Sequence, residues 1–194
     1  MKKYKRLYVK LRQETLQSAM VRFHYEDQPD LFAQVYKTLS RCIQPMLYYE
    51  YDQPDKNRMT GVITLGSGPD SLIAAYQDKG QLSKAYAAEC LSLELLSDCY
   101  RQLKEIVFRE RRQFLENMVF CDQQMLARLF PKLKKEWPAL PVSMNSCYAL
   151  IPSQSVIFYG TIGDSACFGE THMCHLCDHA NCTFRHATGE NYEY

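Results

Sequence analysis

The sequence predicts an α+β fold, in which a mixed or antiparallel sheet carries packed helices and a cysteine-rich tail follows at the C-terminus. Hairpin-like pairs of apolar, aromatic and β-branched segments at residues 46–65 and 144–162 predict the sheet. Helical patterns lie irregularly between them, which favours α+β over a doubly wound fold, and one of these patterns is long. We therefore expect one domain over residues 1–163 and a tail over residues 164–194.

The first elements predicted are a helix and a β-hairpin. Apolar side chains recur at helical spacing over residues 29–45, with Pro29 suited to a first turn and Pro45 past the end. Residues 46–51 and 59–65 are rich in Tyr, Val and Ile and are separated by turn-forming residues. These two segments are expected to pair as a hairpin.

A glycine-containing turn leads from the second strand into the next helix. Ser67 is the expected N-cap, Pro69 and Asp70 belong to the first turn, and Gly80 ends the helix. Two glycines at a helix start can cradle an anion, but no Lys-Ser/Thr pair accompanies them. A structural turn is therefore the favoured interpretation.

A long helix is predicted over residues 81–118. Apolar residues recur every seven positions, with a companion set beside them: Tyr86, Leu93, Tyr100 and Val107, then Leu82, Leu96 and Leu103. This stripe is expected to be buried. Glu89 is in line with the companion set, so it offers a carboxylate to the packed face or, alternatively, lies at the stripe edge and reaches water.

The charged run at residues 109–112 contains Glu110 and three arginines. A solvated last turn that complements the helix dipole explains it, and no site is expected there. A short helix ending near Pro131 and strands at residues 144–151 and 155–162 complete the domain.

Most chemistry-bearing residues are in the tail. Cys174, Cys177 and Cys182 form a Cys-x2-Cys-x4-Cys pattern, Cys167 precedes it, and four of the five histidines are nearby. Two such thiolates can reach one metal from a tight turn, and a third can complete one face of a tetrahedron. The fourth ligand is left open among Cys167, a tail histidine and a partner or substrate atom. Zinc or an iron–sulfur cluster would suit these ligands, and reduced, unliganded thiols are the alternative.

Composition limits the partners. With 23 basic and 22 acidic residues, the chain does not have the charge of a nucleic-acid-binding surface. No stretch approaches the roughly twenty apolar residues of a membrane span, and the basic N-terminus lacks the apolar run of a signal peptide. A cytoplasmic protein with neither nucleic acid nor membrane as partner is expected. The isolated His24, among aromatic residues, is expected in the core or at its edge.

Three segments carry a family resemblance. They are Thr64-Leu65-Gly66 with Asp70 and Leu72-Ile73, the helical Ala87-Ala88-Glu89-Cys90-Leu91-Ser92, and Tyr148-Ala149-Leu150-Ile151-Pro152 with Ser155-Val156. In this order they resemble the reactivation domain of cobalamin-dependent methionine synthase. The cysteine pattern is similar to the C-terminal tail of small stand-alone relatives of that domain.

The resemblance implies an accessory role. Such domains bind S-adenosylmethionine and present it to a corrinoid whose cobalt has been oxidised to cob(II)alamin. One electron from a reductant and then methyl transfer restore methylcobalamin. The resemblance thus implies cobalamin on a partner methionine synthase or related methyltransferase, a reductant protein as a further partner, and Tyr148, Pro152, Ser155 and Glu89 as cofactor-binding residues.

The chain departs from this family at two places. The family has an Arg-x-x-x-Gly-Tyr loop where this chain has Arg112-Gln113-Phe114-Leu115-Glu116-Asn117-Met118, and Ser146 replaces an acidic residue. The alternative function is therefore a metal- or iron–sulfur-binding, or redox-responsive, protein that kept the fold and lost S-adenosylmethionine. No Ser/His/Asp or Cys/His arrangement indicates a self-contained enzyme.

Overall fold

The computed structural model describes residues 2–52 and 57–165. The elements are, in order, β1 (Lys3–Arg6), α1 (Gln13–Arg22), α2 (Pro29–Cys42), β2 (Met46–Tyr51), β3 (Arg58–Thr64), α3 (Gly68–Asp78), α4 (Leu82–Arg111), β4 (Phe114–Phe120), α5 (Gln123–Glu136), β5 (Ser143–Met144), β6 (Leu150–Ile151) and β7 (Ser155–Gly163). The predicted α+β class with one long helix is confirmed. The predicted metal ligands Cys167, Cys174, Cys177 and Cys182 lie outside the described residues.

The main sheet has five antiparallel strands in the order β1-β2-β3-β7-β4, and β5 and β6 form a separate pair. The expected hairpin is confirmed as β2 and β3, with Met46 opposite Thr64 and Tyr51 opposite Met59. Gly61 lies opposite Phe158 on β7. A Cβ atom at position 61 would be 2.3 Å from Cζ of Phe158, so this ring packs where only glycine leaves room.

Helices cover both faces of the sheet, because alternate side chains of each strand point to opposite sides. One face, which includes Leu47, Ile63 and Phe158, packs in a large hydrophobic core with residues of α1 to α4. The other face, which includes Val62 and Ile157, forms a smaller core with α5 and the segment that follows it. The sheet is thus the middle layer of three.

The long helix α4 buries a different stripe from the one predicted. Leu96, Tyr100 and Leu103 are buried as expected, but Leu82 is 67% exposed and Tyr86 is 45% exposed. A strict seven-residue repeat drifts by about 20° per heptad on a straight helix, so a stripe aligned with the core at one end leaves it at the other. Burial of the whole stripe was therefore a wrong prediction.

A different carboxylate from Glu89 enters the packed face of α4. Glu89 is half-buried, in agreement with the stripe-edge alternative. Glu94 is only 4% exposed and pairs with the Arg22 guanidinium of α1, which lies 4.6 Å above the ring of Phe23. A buried carboxylate needs such a partner to offset its desolvation.

The prediction that α4 continues to residue 118 is wrong. The helix ends at Arg111, Arg112 adopts a left-handed conformation with φ 56°, and β4 begins at Phe114. Leu115 and Met118 enter the large core from this strand, which pairs with β7. Their spacing of three suits a helix, and a β-bulge between Leu115 and Asn117 is what places both on one face of the sheet.

Three other boundaries or environments differ from expectation. Helix α5 continues through Pro131 to Glu136, because Leu126, Phe130 and Leu133 keep one buried face on both sides of the proline. The predicted strand at residues 144–151 is instead two short strands joined by a turn. His24 is exposed with φ 59°, since it occupies the left-handed position just after α1.

The remaining helix predictions agree with the structure. Helix α2 begins at Pro29 and buries Phe32, Val35 and Leu39. Helix α3 begins directly after Ser67, although that side chain makes no capping hydrogen bond, and Gly80 adopts φ 69° beyond its end. Among the described helices, none combines the length and apolar character that a membrane span requires.

Candidate functional site

A cluster around Glu110 holds the end of α4 against the sheet. Oε1 of Glu110 accepts hydrogen bonds from Lys5 Nζ and Tyr49 OH, both at 2.7 Å. Oε2 accepts from Lys3 Nζ at 2.7 Å and from Tyr51 OH at 3.1 Å. The alternation of β1 and β2 brings the four donors to one side, with Lys3 paired opposite Tyr49. The expectation of a solvated charged run was therefore wrong for Glu110.

Within this Glu110 cluster, the surroundings favour an ionised Glu110 and neutral Tyr49 and Tyr51 side chains. Burial acts to raise the pKa of Glu110, but the donated hydrogen bonds outweigh it and lower the pKa to about 2. Burial and the neighbouring carboxylate raise the pKa of Tyr49 and Tyr51 well above the ordinary phenol range. The guanidinium of Arg111 lies 5.3 Å from the Tyr51 ring centre. An ionised carboxylate with four donors is a structural clamp between helix and sheet rather than a proton-transfer site.

A second polar cluster joins two of the segments that carry the family resemblance. Ser155 Oγ donates to Thr64 Oγ1 at 2.8 Å, and Leu65 N donates to the carbonyl of Gln154 at 3.0 Å. Asp70 accepts from the backbone N of Ser153 at 2.8 Å and from its Oγ at 2.5 Å. We call residues 64–70 and 153–155 the motif junction.

The four cofactor-binding candidates do not form one cluster. Pro152 and Ser155 are both buried; Ser155 belongs to the motif junction and Pro152 directly precedes it. Tyr148 lies in the turn between β5 and β6, with φ 61° and 44% of its surface exposed. Glu89 lies on α4, which packs on the opposite face of the sheet from the core that holds β5 and β6. The structure thus buries Pro152 and Ser155 in one short segment and places Glu89 and Tyr148 on opposite sides of the sheet.

A cavity of about 380 Å³ lies between the sheet and the C-terminal part of α5. Its lining includes Glu50, Asp52, Thr60, Glu136, Trp137 and Tyr159. The register places Glu50 opposite Thr60 and Thr60 opposite Tyr159, so three neighbouring strands form its floor. Sequence reasoning missed this acidic cavity. The alternation of the hairpin indicated that Glu50 faces away from Tyr49, but nothing local indicated which helix would cover it.

The described cysteines are not arranged as a thiolate centre. Cys90 and Cys99 are buried, and burial raises the pKa of the Cys90 thiol to about 11. Cys147 is exposed, beside Tyr148 in the β5–β6 turn. Within residues 2–52 and 57–165, no three His, Cys, Asp or Glu side chains converge as metal ligands. The metal prediction concerns the tail and is untested by these residues.

Comparisons with known proteins add no assignment to this geometry. No protein-family model matches the sequence, and the search of curated proteins finds no match.

Proposed function

We propose that this chain is an accessory protein that assists the reductive reactivation of a corrinoid methionine synthase by presenting S-adenosylmethionine to the oxidised cofactor. The motif junction is the observation that supports this proposal. Two of the three resembling segments are joined by hydrogen bonds from Ser153 to the carboxylate of Asp70, which lies 83 positions earlier in the chain. The resembling segments are therefore in contact in this chain as well as ordered along its sequence.

The third resembling segment contributes to the same fold. Residues 87–92 belong to α4, and Ala87, Ala88 and Leu91 are fully buried in the large core. Helix α4 packs against α3, which begins at the motif junction. All three segments therefore belong to one packed structure, and this supports the proposed role.

An exposed apolar pair beside the motif junction supplies a surface for docking. Tyr148 is 44% exposed and Ile151 is 49% exposed, within four positions of each other. Exposed apolar side chains that form a contiguous patch mark contact surfaces, whereas single ones need no explanation. In the proposed role this pair faces the corrinoid-bearing partner. The reacting atoms belong to the two cofactors, so the protein contributes proximity, orientation and exclusion of water.

Calorimetric titration with S-adenosylmethionine tests the methyl-donor part of the proposal. We expect one site per chain and weaker binding for Tyr148→Ala. The matched control is Tyr8→Ala, which removes another exposed ring, 84% accessible, from a remote segment. The absence of binding heat for the wild-type chain, confirmed by equilibrium dialysis, would contradict the proposal.

A second candidate function is a metal- or iron–sulfur-binding, or redox-responsive, protein that uses Cys174, Cys177 and Cys182. Two observations favour it. Ser155 is hydrogen-bonded to Thr64, and most of residues 112–118, where the family's Arg-x-x-x-Gly-Tyr loop is expected, lie in β4. Side chains that already make sheet and core contacts are not free to bind S-adenosylmethionine.

The test of this second function is elemental analysis of the protein purified without oxygen. Cys174→Ser combined with Cys177→Ser should remove bound zinc or iron while circular dichroism stays unchanged. Cys147→Ser is the control, because it removes an exposed thiol from the domain itself. Equal metal content in all three proteins would rule out the tail as the metal site.

A further inference from the structure

Beyond the proposed function, we propose that a cavity beside α1 and α2 binds a small apolar molecule that carries a single negative charge, such as a medium-chain carboxylate. This α1–α2 cavity measures about 480 Å³ and lies between the N-terminal part of α1 and the middle of α2. None of its lining residues belongs to the motif junction or to the Glu110 cluster, so the inference stands independently of the reactivation role. The lining residues are Lys10, Leu11, Arg12, Gln13, Leu16 and Tyr36.

The size and the walls of the α1–α2 cavity suit a small molecule rather than a single ion. Small-molecule sites occupy about 300–1,000 Å³, and 480 Å³ lies within that range. Leu11 is 6% exposed, Leu16 and Tyr36 are half-buried, and all three pack in or against the large core. Their side chains are therefore held in place and give the cavity an apolar wall. A hydrocarbon chain or ring that covers this wall removes apolar surface from water, which favours binding.

The charged side chains of the cavity indicate an anionic group on the ligand. Lys10 is exposed and has no charged or hydrogen-bonding partner among the described residues. Arg12 is a second cation at the cavity, and no carboxylate is found among the described residues that line it. Arg12 already has a partner within the protein, so we assign only Lys10 as the counter-ion. One cation calls for one negative charge on the ligand.

A hydroxyl group of the cavity is available to donate to the same anion. The backbone N of Leu11 donates a hydrogen bond to Tyr36 OH at 3.0 Å, which fixes the position of this hydroxyl. A phenol oxygen accepts and donates at the same time, and the Tyr36 proton has no acceptor among the residues that the structure describes. A carboxylate supplies that acceptor. Lys10 directly precedes Leu11 in the chain and supplies the opposite charge.

The experiment titrates the full-length protein with decanoate and follows binding by isothermal calorimetry and by the carbon-13 methyl signals of leucine. We expect saturable binding that shifts the signals of Leu11 and Leu16 but not those of Leu129, which packs in the smaller core on the other face of the sheet. Octanoate has a shorter chain and should bind about tenfold more weakly, because less apolar surface is buried. Decylamine has the opposite charge on the same chain and should bind at least about tenfold more weakly than decanoate.

A charge reversal at an exposed position makes the test specific without disturbing the core. Lys10→Glu should weaken decanoate binding about fivefold or more, whereas the binding of uncharged decanol should stay the same. The matched control is Lys79→Glu, which makes the same change of charge at an exposed position at the end of α3. This control should bind decanoate as the wild type does.

Four results would overturn the inference. The first is the absence of saturable heat and of methyl shifts at millimolar decanoate. The second is equal affinity for decanoate and decylamine, which would leave the cationic side chains without a role. The third is equal affinity of Lys10→Glu and the wild type for decanoate. The fourth is binding that shifts only signals other than those of Leu11 and Leu16, because the ligand would then occupy another site.

Discussion

Replacing Glu110 with glutamine should lower the free energy of unfolding by about 2 kcal/mol at pH 7. The pKa of Glu110 is about 2 against an ordinary 4.5, and at 1.36 kcal/mol per unit this difference corresponds to about 3.4 kcal/mol. Screening reduces the effect, because the side chains of Lys3 and Lys5 are 28% and 41% exposed. Glutamine also keeps part of the hydrogen bonding from Tyr49 and Tyr51.

The pH dependence follows from the sign of this shift. A carboxylate whose pKa is lowered by folding stabilises the native state fully above its ordinary pKa, and this stabilisation is lost as the pH falls from 4.5 towards 2. The difference in unfolding free energy between the wild type and Glu110→Gln should therefore fall by roughly 60% between pH 7 and pH 3. Urea denaturation followed by circular dichroism at each pH measures it.

The matched control is Glu105→Gln, which removes one negative charge from the same helix. Glu105 is 43% exposed and contacts Arg101 and Arg109, which are themselves 46% and 72% exposed. Such surface pairs contribute little, so this variant should lose less than about 0.5 kcal/mol. Equal losses in the two variants, or a loss for Glu110→Gln that is the same at pH 7 and pH 3, would refute the clamp.

Three further predictions test other parts of the structure. Gly61→Ala should destabilise the fold by about 1–3 kcal/mol, because the added methyl group clashes with Phe158. Phe158→Leu in the same background should recover part of that loss in thermal melts. Additive losses from the two substitutions would show that the clash is not the cause. Asp70→Ala should lower the free energy of unfolding by about 1–3 kcal/mol and speed hydrogen exchange at the amides of residues 153 and 154. Unchanged exchange there would count against the motif junction. Cys147 should react with iodoacetamide well before Cys90, because the Cys90 thiol is buried and its pKa is raised. Peptide mapping measures the order of reaction, and the reverse order would contradict the burial of Cys90.

Elements whose pattern is local could be predicted from the sequence. Helix α2 has a proline at its start and one wide apolar face, and the β2–β3 hairpin has strands rich in Tyr, Val and Ile that are separated in the sequence by turn-forming residues. Both follow from short-range periodicity, and neither needs knowledge of distant contacts.

The errors arose where tertiary contacts overrode a local pattern. Residues 114–118 continue a helical spacing, but pairing with β7 and a bulge make them a strand. Pro131 ordinarily ends a helix, and yet the buried face of α5 extends past it. In both cases burial against the sheet decided the conformation, and a single sequence does not show which surface a segment will meet.

The site residues were harder to predict for the same reason. Glu110 reaches Lys3 across 107 positions, and the motif junction spans 83 to 91 positions. Ser155 and Asp70 were singled out through the resemblance, whereas the link between their segments became visible only in three dimensions. The acidic cavity combines three strands with a helix, and no motif marks such an arrangement.

The reactivation role is tested most directly by the visible spectrum of a methionine synthase that lacks its own reactivation domain and holds cob(II)alamin. It is mixed without oxygen with this protein, a reductant and S-adenosylmethionine. The proposed function predicts that the methylcobalamin spectrum returns only when this protein is present, and more slowly with Tyr148→Ala than with Tyr8→Ala. A cob(II)alamin spectrum that persists with the folded wild-type protein would contradict it.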